Sequence, residues 1–247
     1  MISTNPVTRI ALVFTLLLTG SVAAFAQQPE TSGSTKPNPA TVPLTRNTWL
    51  EQHNRQIATA KKDGCEVMFL GDSITAGWSN NGKQVWAERY TSLKAANFGI
   101  GGDRTEHVLW RLQNGALGSG IAPKAVVLMI GTNNTGRDSA AQISEGITAI
   151  VKELGKRAPQ AKVLLLGVFP RNEKPGTPAR VKIAGINKII ANLDDGQRVF
   201  FLDIGEKFLQ PDGSLSKSIM PDFLHLSPAG YKIWADAIDA KLDELLK

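Results

Sequence analysis

The chain has 247 residues, a single cysteine and a formal charge of +6, with Lys and Arg spread among acidic residues rather than gathered into an arm. One cysteine excludes an internal disulfide, so packing alone must hold the fold. No basic stripe interleaved with aromatics is present, which argues against a nucleic-acid partner and leaves a mildly basic, soluble surface.

The first 26 residues read as a signal peptide. "MISTNPVTR" carries one positive charge, and "IALVFTLLLTGSVAAFA" is apolar, short, and closes on the small-x-small pattern Ala24-Phe25-Ala26. A bilayer span usually needs ~20 apolar residues, so stable membrane insertion after cleavage is not expected; an uncleaved N-terminal anchor is the alternative. No cysteine follows the run to carry a lipid, and the mature chain is expected to begin near Gln27, secreted or periplasmic. Residues 27–44, "QQPETSGSTKPNPATVPL", are rich in Pro, Ser and Thr without apolar periodicity, the composition of a flexible linker. Residues 45–247 are then one domain, with no internal repeat.

The domain opens with a predicted helix in "RNTWLEQHNRQIATAKK", followed by Cys65, read as a small buried residue. Apolar runs of strand length then recur: residues 66–71 (EVMFLG), 95–100 (AANFGI), 125–131 (AVVLMIG), 162–169 (KVLLLGVF) and 199–204 (VFFLDI). They are nearly continuous, as strands buried on both faces of a parallel sheet must be. Between them lie amphipathic stretches. Residues 139–158 place Ile143, Ile147, Ile150, Val151 and Leu154 on one face, with Ser139 as N-cap. Residues 178–193 place Val181, Ile186, Ile189, Ile190 and Leu193 likewise, and the last helix starts at Ser227 with Pro228 in its first turn and Ile233, Trp234, Ala237, Ile238, Leu242 and Leu245 facing the core. Alternating strands and helices imply a three-layer α/β/α sandwich on a five-stranded parallel sheet, with ligands outside the carboxyl ends of the strands.

Those ends carry unusual residues: Gly71-Asp72-Ser73 after the first strand, Gly101-Gly102-Asp103 after the second, Gly131-Thr132-Asn133-Asn134 after the third. Asp222 and His225 stand three residues apart in "MPDFLHLSPAGY", before the last helix. Singly, each reads as turn chemistry, Asp103 as a helix cap included. Together they supply what acyl transfer through serine requires: a hydroxyl, an imidazole base near neutral pKa, a carboxylate to orient it, and glycine and asparagine N–H groups for an oxyanion. His53 and His107 fall inside predicted helices and read as structural. Three scattered histidines and one cysteine offer no metal-ligand spacing, and GxGxxG fails at Arg104.

The set resembles the SGNH, or GDSL, hydrolase superfamily: "GDSI", "NFGIGGD", "GTNN" and "DFLHLS" match its four blocks in order, from residue 66 to the C-terminus. Within it, "NFGIGGDRTEHVLWRLQNG" and "VVLMIGTNN" are most similar to the platelet-activating-factor acetylhydrolase catalytic-subunit branch, which shares Asn where many members have GxND. The resemblance implies the flavodoxin-like fold of that superfamily, Ser73 as nucleophile, His225 as base and Asp222 to orient it. It implies an oxyanion hole from Ser73, Gly102 and Asn133, and no cofactor or metal. Gly102 rather than Gly101 is the block-two glycine because it directly precedes Asp103.

The expected function is a secreted esterase removing short acyl groups, acetyl above all, with an O-acetylated glycan as a plausible substrate. Trp78, Trp86 and Trp110 near the active edge are candidate sugar platforms, although helical spacing favours core packing for Trp110. A lysophospholipase or thioesterase, and a non-catalytic glycan-binding domain, are the alternatives; the chain is a monomer or homodimer.

Overall fold

The computed structural model describes residues 1–2, 36–118 and 120–247. Five strands, β1 (Val67–Gly71), β2 (Ala95–Gly99), β3 (Ala125–Met129), β4 (Lys162–Leu166) and β5 (Val199–Leu202), form one parallel sheet in the order β2-β1-β3-β4-β5. Among the described residues seven α-helices accompany it: α1 (Leu50–Asp63), α2 (Ser73–Ala76), α3 (Lys83–Arg89), α4 (Thr105–Arg111), α5 (Ala140–Arg157), α6 (Pro178–Ile190) and α7 (Pro228–Leu245). This is the expected α/β architecture. The predicted strands all form, but several stop sooner than their apolar runs: Ile100, Ile130, Val168 and Phe169 are buried beyond the ladder.

Alternation along each strand divides the core. Met68, Leu70, Val126, Leu128, Val163 and Leu165 pack with residues of α4, α5 and α6. Their neighbours Phe69, Val127, Met129 and Leu164 pack against Trp86 and Tyr90 beside Trp234, Ile238 and Leu242 of α7. Both faces are therefore dry, which is why the strands show no polar alternation. Each such side chain, fully buried, contributes roughly 1.5–3 kcal/mol of transfer free energy. Ser139 caps α5 by accepting from the Gln142 N–H, while the Gln142 side chain accepts from the Ser139 N–H, and Ser227 caps α7 with Pro228 in its first turn.

Three sequence expectations change. The linker expected over residues 27–44 is part of the domain at its end. Residues Pro39–Thr41 form a 3₁₀ turn with Ala40 wholly buried, Asn38 donates to the Gln142 carbonyl at 3.0 Å, and the Thr105 hydroxyl donates to the Ala40 carbonyl at 2.8 Å. The rest of that linker, and the signal peptide expected over residues 1–26 apart from its first two residues, lie outside the described residues. On α6, Val181 and Ile189 are exposed; the inward stripe is Ile183, Ile186, Asn187 and Ile190. Asn187 earns its buried place by accepting from the Val168 N–H and donating to the Val168 carbonyl and Asp203. Trp78 is no sugar platform: it is completely buried among Phe69, Tyr90, Tyr231 and Trp234.

Candidate active site

In the order β2-β1-β3, the chain leaves β1 for one side of the sheet and β3 continues on the other, so the carboxyl ends of β1 and β3 flank the topological switch point. Ser73 sits there, as the first residue of α2. Gly71 makes the turn possible. A Cβ at that position would lie 2.3 Å from the Met129 carbonyl oxygen and 2.2 Å from Thr75 Oγ1, so any larger residue would wedge β1 from β3. Asp72 then caps α2, accepting from the Ile74 N–H at 2.9 Å. From α7 the Tyr231 hydroxyl donates to the Ile74 carbonyl at 2.6 Å and fixes the short helix from the other side.

The loop before α7 brings His225 to Ser73 across 152 residues of sequence separation: Ser73 Oγ and His225 Nε2 are 2.9 Å apart. His225 Nδ1 and Asp222 Oδ2 are 2.6 Å apart, and Asp222 Oδ1 accepts from the backbone N–H of His225 at 2.7 Å and of Leu224 at 3.1 Å. Partial burial alone would raise the Asp222 carboxyl, but these hydrogen bonds and the nearby ring outweigh it and hold the group below its ordinary value. An ionised carboxylate can only accept, so Nδ1 carries the ring proton and Nε2 is left to accept from the serine hydroxyl. The loop is tightened by Phe223, whose φ of 57° is left-handed and whose carbonyl accepts from the Asn172 N–H at 2.9 Å. A non-glycine residue in that conformation costs on the order of 1–2 kcal/mol, so the surrounding contacts hold the Asp222–His225 spacing against strain.

Gly102 lies in the β2–α4 turn with φ +75°, and Arg46 crosses beside it. Asn133 follows β3 in the 3₁₀ turn Thr132–Asn134, half-buried, with Nδ2 donating to the Asp103 carbonyl at 2.8 Å; its second N–H meets no acceptor among the described residues. These two loops are thus tied together directly above the β1–β3 edge. Ser73, Gly101 and His225 line a cavity of 290 Å³ with Leu226 and Tyr231.

Sequence reasoning missed the supports beneath the loops. Asp103 does not cap α4: it is wholly buried and pairs with the equally buried Arg111 at 2.7 Å. Desolvation still raises its carboxyl to about 6, against the pull of the Arg111 charge and hydrogen bond. Asn134 is the hub of the β3 loop. Its Oδ1 accepts from the Thr105 N–H, which opens α4, and its Nδ2 donates to Glu106 and Asp138. Arg171, after β4, donates to the Thr132 carbonyl at 3.1 Å. A polar residue at a strand end was the available signal, but it did not say which partner it would meet.

The remaining candidates are structural. His53 and His107 are buried, the first 2.9 Å from the Asn114 carbonyl, the second accepting from the Arg104 N–H; desolvation lowers both, His107 to about 4. Burial pushes the Cys65 thiol up to about 12. Trp110 packs against Trp49 and His53. Among the described residues no group of three or more His, Cys, Asp or Glu is placed to hold a metal ion, and no helix is long and apolar enough to cross a membrane.

Residues 69–233 match the GDSL-like lipase/acylhydrolase family. The human platelet-activating factor acetylhydrolase IB subunit alpha1 is 41% identical over 218 residues, 88% of this chain and 92% of that protein. The rat alpha2 subunit is 42% identical over 201 residues, 78% of this chain and 86% of that protein. Among solved structures, a GDSL-like lipase from Bacteroides thetaiotaomicron superposes with TM-score 0.65 at 20% identity, over 78% of this chain and 97% of that one. An acetylxylan esterase from Geobacillus stearothermophilus does so with TM-score 0.58 at 18% identity, over 74% and 94%. Both share the fold described above.

Proposed function

The chain belongs to the GDSL-like lipase/acylhydrolase family and is a carboxylic ester hydrolase; within that activity we propose that it removes short acyl groups, acetyl above all, through a covalent intermediate on Ser73. The observation that carries this reading is the Ser73–His225–Asp222 chain, with contacts of 2.9 Å and 2.6 Å at the switch point of the sheet.

In the first half-reaction Ser73 Oγ bonds to the ester carbonyl carbon while its proton passes to His225 Nε2. Asp222 stabilises the imidazolium and keeps the ring in the required tautomer. The carbonyl oxygen, now an oxyanion, is met by the N–H of Ser73, the N–H of Gly102 and the unengaged N–H of Asn133 Nδ2. The tetrahedral centre collapses as the C–O bond to the alcohol breaks, and His225 returns the proton to that oxygen. Water repeats the sequence on the acyl-enzyme, releasing the acid and regenerating the serine.

The 290 Å³ of the Ser73 cavity supports a short acyl group, as do relatives named acetylhydrolases and a neighbour named acetylxylan esterase. An O-acetylated carbohydrate is the substrate class this reading favours. Export follows from the signal-peptide character of residues 1–26, and cleavage would place the enzyme outside the cytoplasm, where such glycans occur. Hydrolysis rates on p-nitrophenyl acetate, butyrate and octanoate test the reading. It expects a steep fall with chain length and loss of turnover in Ser73→Ala; a preference for octanoate would overturn the short-acyl reading.

A further inference from the structure

Next to the Ser73 cavity lies a larger cleft of 570 Å³, between α1 and β2, the edge strand of the sheet. The two spaces share Ala76 and Asn80, so the cleft begins one turn of helix along the chain from the nucleophile. Its volume falls in the range of small-molecule sites, roughly 300–1,000 Å³.

The lining has a definite chemistry. One wall is the half-buried Trp86 and the floor is the small pair Ala95 and Ala96. The rest is largely neutral amide and hydroxyl: Gln52 and Thr59 on α1, Asn80 at the shared end. Thr59 and Asn80 are exposed, and their side chains hold no hydrogen bond among the described residues. Two charged groups lie in the lining: Arg55 is occupied by Glu51 on its own helix, and Asp63, at the end of α1, is a carboxylate able to accept from sugar hydroxyls. An acyl chain here would leave the Thr59 hydroxyl and the Asn80 amide facing hydrocarbon, at about 1–3 kcal/mol for each group stranded, while Gln52 already donates to the Gly99 carbonyl. A ring bearing hydroxyls around its edge and C–H groups on its faces would satisfy both the amides and the tryptophan.

We propose that this cleft is the subsite for the alcohol half of the substrate, and that it takes a neutral oligosaccharide whose O-acetyl group enters the Ser73 cavity. The proposal rests on the serine-esterase reading above and names its substrate class.

The test uses the full chain and two variants of Thr59, a position remote from the triad and exposed on α1. Thr59→Trp fills the cleft and Thr59→Ala leaves it open. Calorimetry with unacetylated xylotetraose, cellotetraose and mannotetraose should find at least one that binds the parent and Thr59→Ala, with affinity at least tenfold weaker in Thr59→Trp. On the acetylated form of that sugar, Thr59→Trp should raise KM at least tenfold while p-nitrophenyl acetate turnover stays within twofold. The proposal is overturned if none of the three sugars binds, if Thr59→Trp binds as the parent does, or if both substrates lose rate equally. It is also overturned if lysophosphatidylcholine is hydrolysed with a higher kcat/KM than any acetylated sugar. A parent inert toward p-nitrophenyl acetate would instead defeat the esterase reading itself, so the two failures are told apart.

Discussion

Replacing Asp72 by Asn should make the protein more stable as pH rises. Asp72 is completely buried, with Oδ1 accepting from the Ile74 N–H and Oδ2 without a hydrogen-bond partner among the described residues. Desolvation raises its carboxyl to about 7, helped by the nearby Asp103 and opposed by the Ile74 N–H, His225 and Arg171. The unfolded chain would ionise the group near 3.8. A folded-state value above the unfolded one means that folding takes up a proton between those limits, so this group's contribution is fully present below about pH 4 and lost as pH passes 7. At about 1.4 kcal/mol per pH unit of displacement, the ionised carboxylate costs on the order of 4 kcal/mol above neutrality. Asparagine keeps the cap acceptor and never ionises. Denaturant midpoints of parent and variant should therefore nearly coincide at pH 4 and diverge steadily to pH 8. In thermal melts that difference is roughly 10 °C for a domain of this size. A gap that does not change with pH, or a variant less stable at pH 8, would refute the argument that the buried carboxylate is an electrostatic liability.

Three further outcomes follow from particular contacts. Arg111→Met strands the buried Asp103 carboxylate and should cost about 3–5 kcal/mol at pH 8; without the Arg111 charge the carboxyl takes its proton above the parent's value of about 6, so chemical denaturation should show the deficit shrinking as pH falls toward 6 and levelling below it. Asp222→Asn removes the group that fixes the His225 tautomer, and steady-state kinetics should show kcat down by about 10²–10⁴ with little change in KM. Gly71→Ala drives a methyl into the Met129 carbonyl, 2.3 Å from the ideal Cβ, and should cost about 1–3 kcal/mol or more in denaturant unfolding. It should also abolish turnover by shifting Ser73.

The sheet was legible because its strands are buried on both faces, and a run such as Val126-Val127-Leu128 has no other use in a polar medium. Strand ends were less so: Ile100 and Val168 are as apolar as the residues before them, and only the neighbouring strand decides where pairing stops. Ser73 could be placed from sequence because the strand-end rule puts ligands there, whereas Asp222 and His225, in the loop before α7, were legible only through their spacing and the resemblance of the blocks. What that rule cannot supply is the pairing of buried charges. Asp103 read as a helix cap and Arg111 gave no signal of its own, and their burial makes sense only once they meet. Asn187 hid within an apolar stripe for the same reason, its amide answering backbone groups of another element. The linker's docked end was missed because Ala40 carries no sign in its composition that a socket awaits it between α4 and α5.

The account stands most directly on Ser73 being an activated nucleophile. A fluorophosphonate probe, followed by mass spectrometry of the intact chain and of its peptides, measures this in one step. One equivalent of label on Ser73, lost in Ser73→Ala and slowed strongly in His225→Ala, is the predicted result. Label carried by another residue, or none taken up by folded protein, would contradict it.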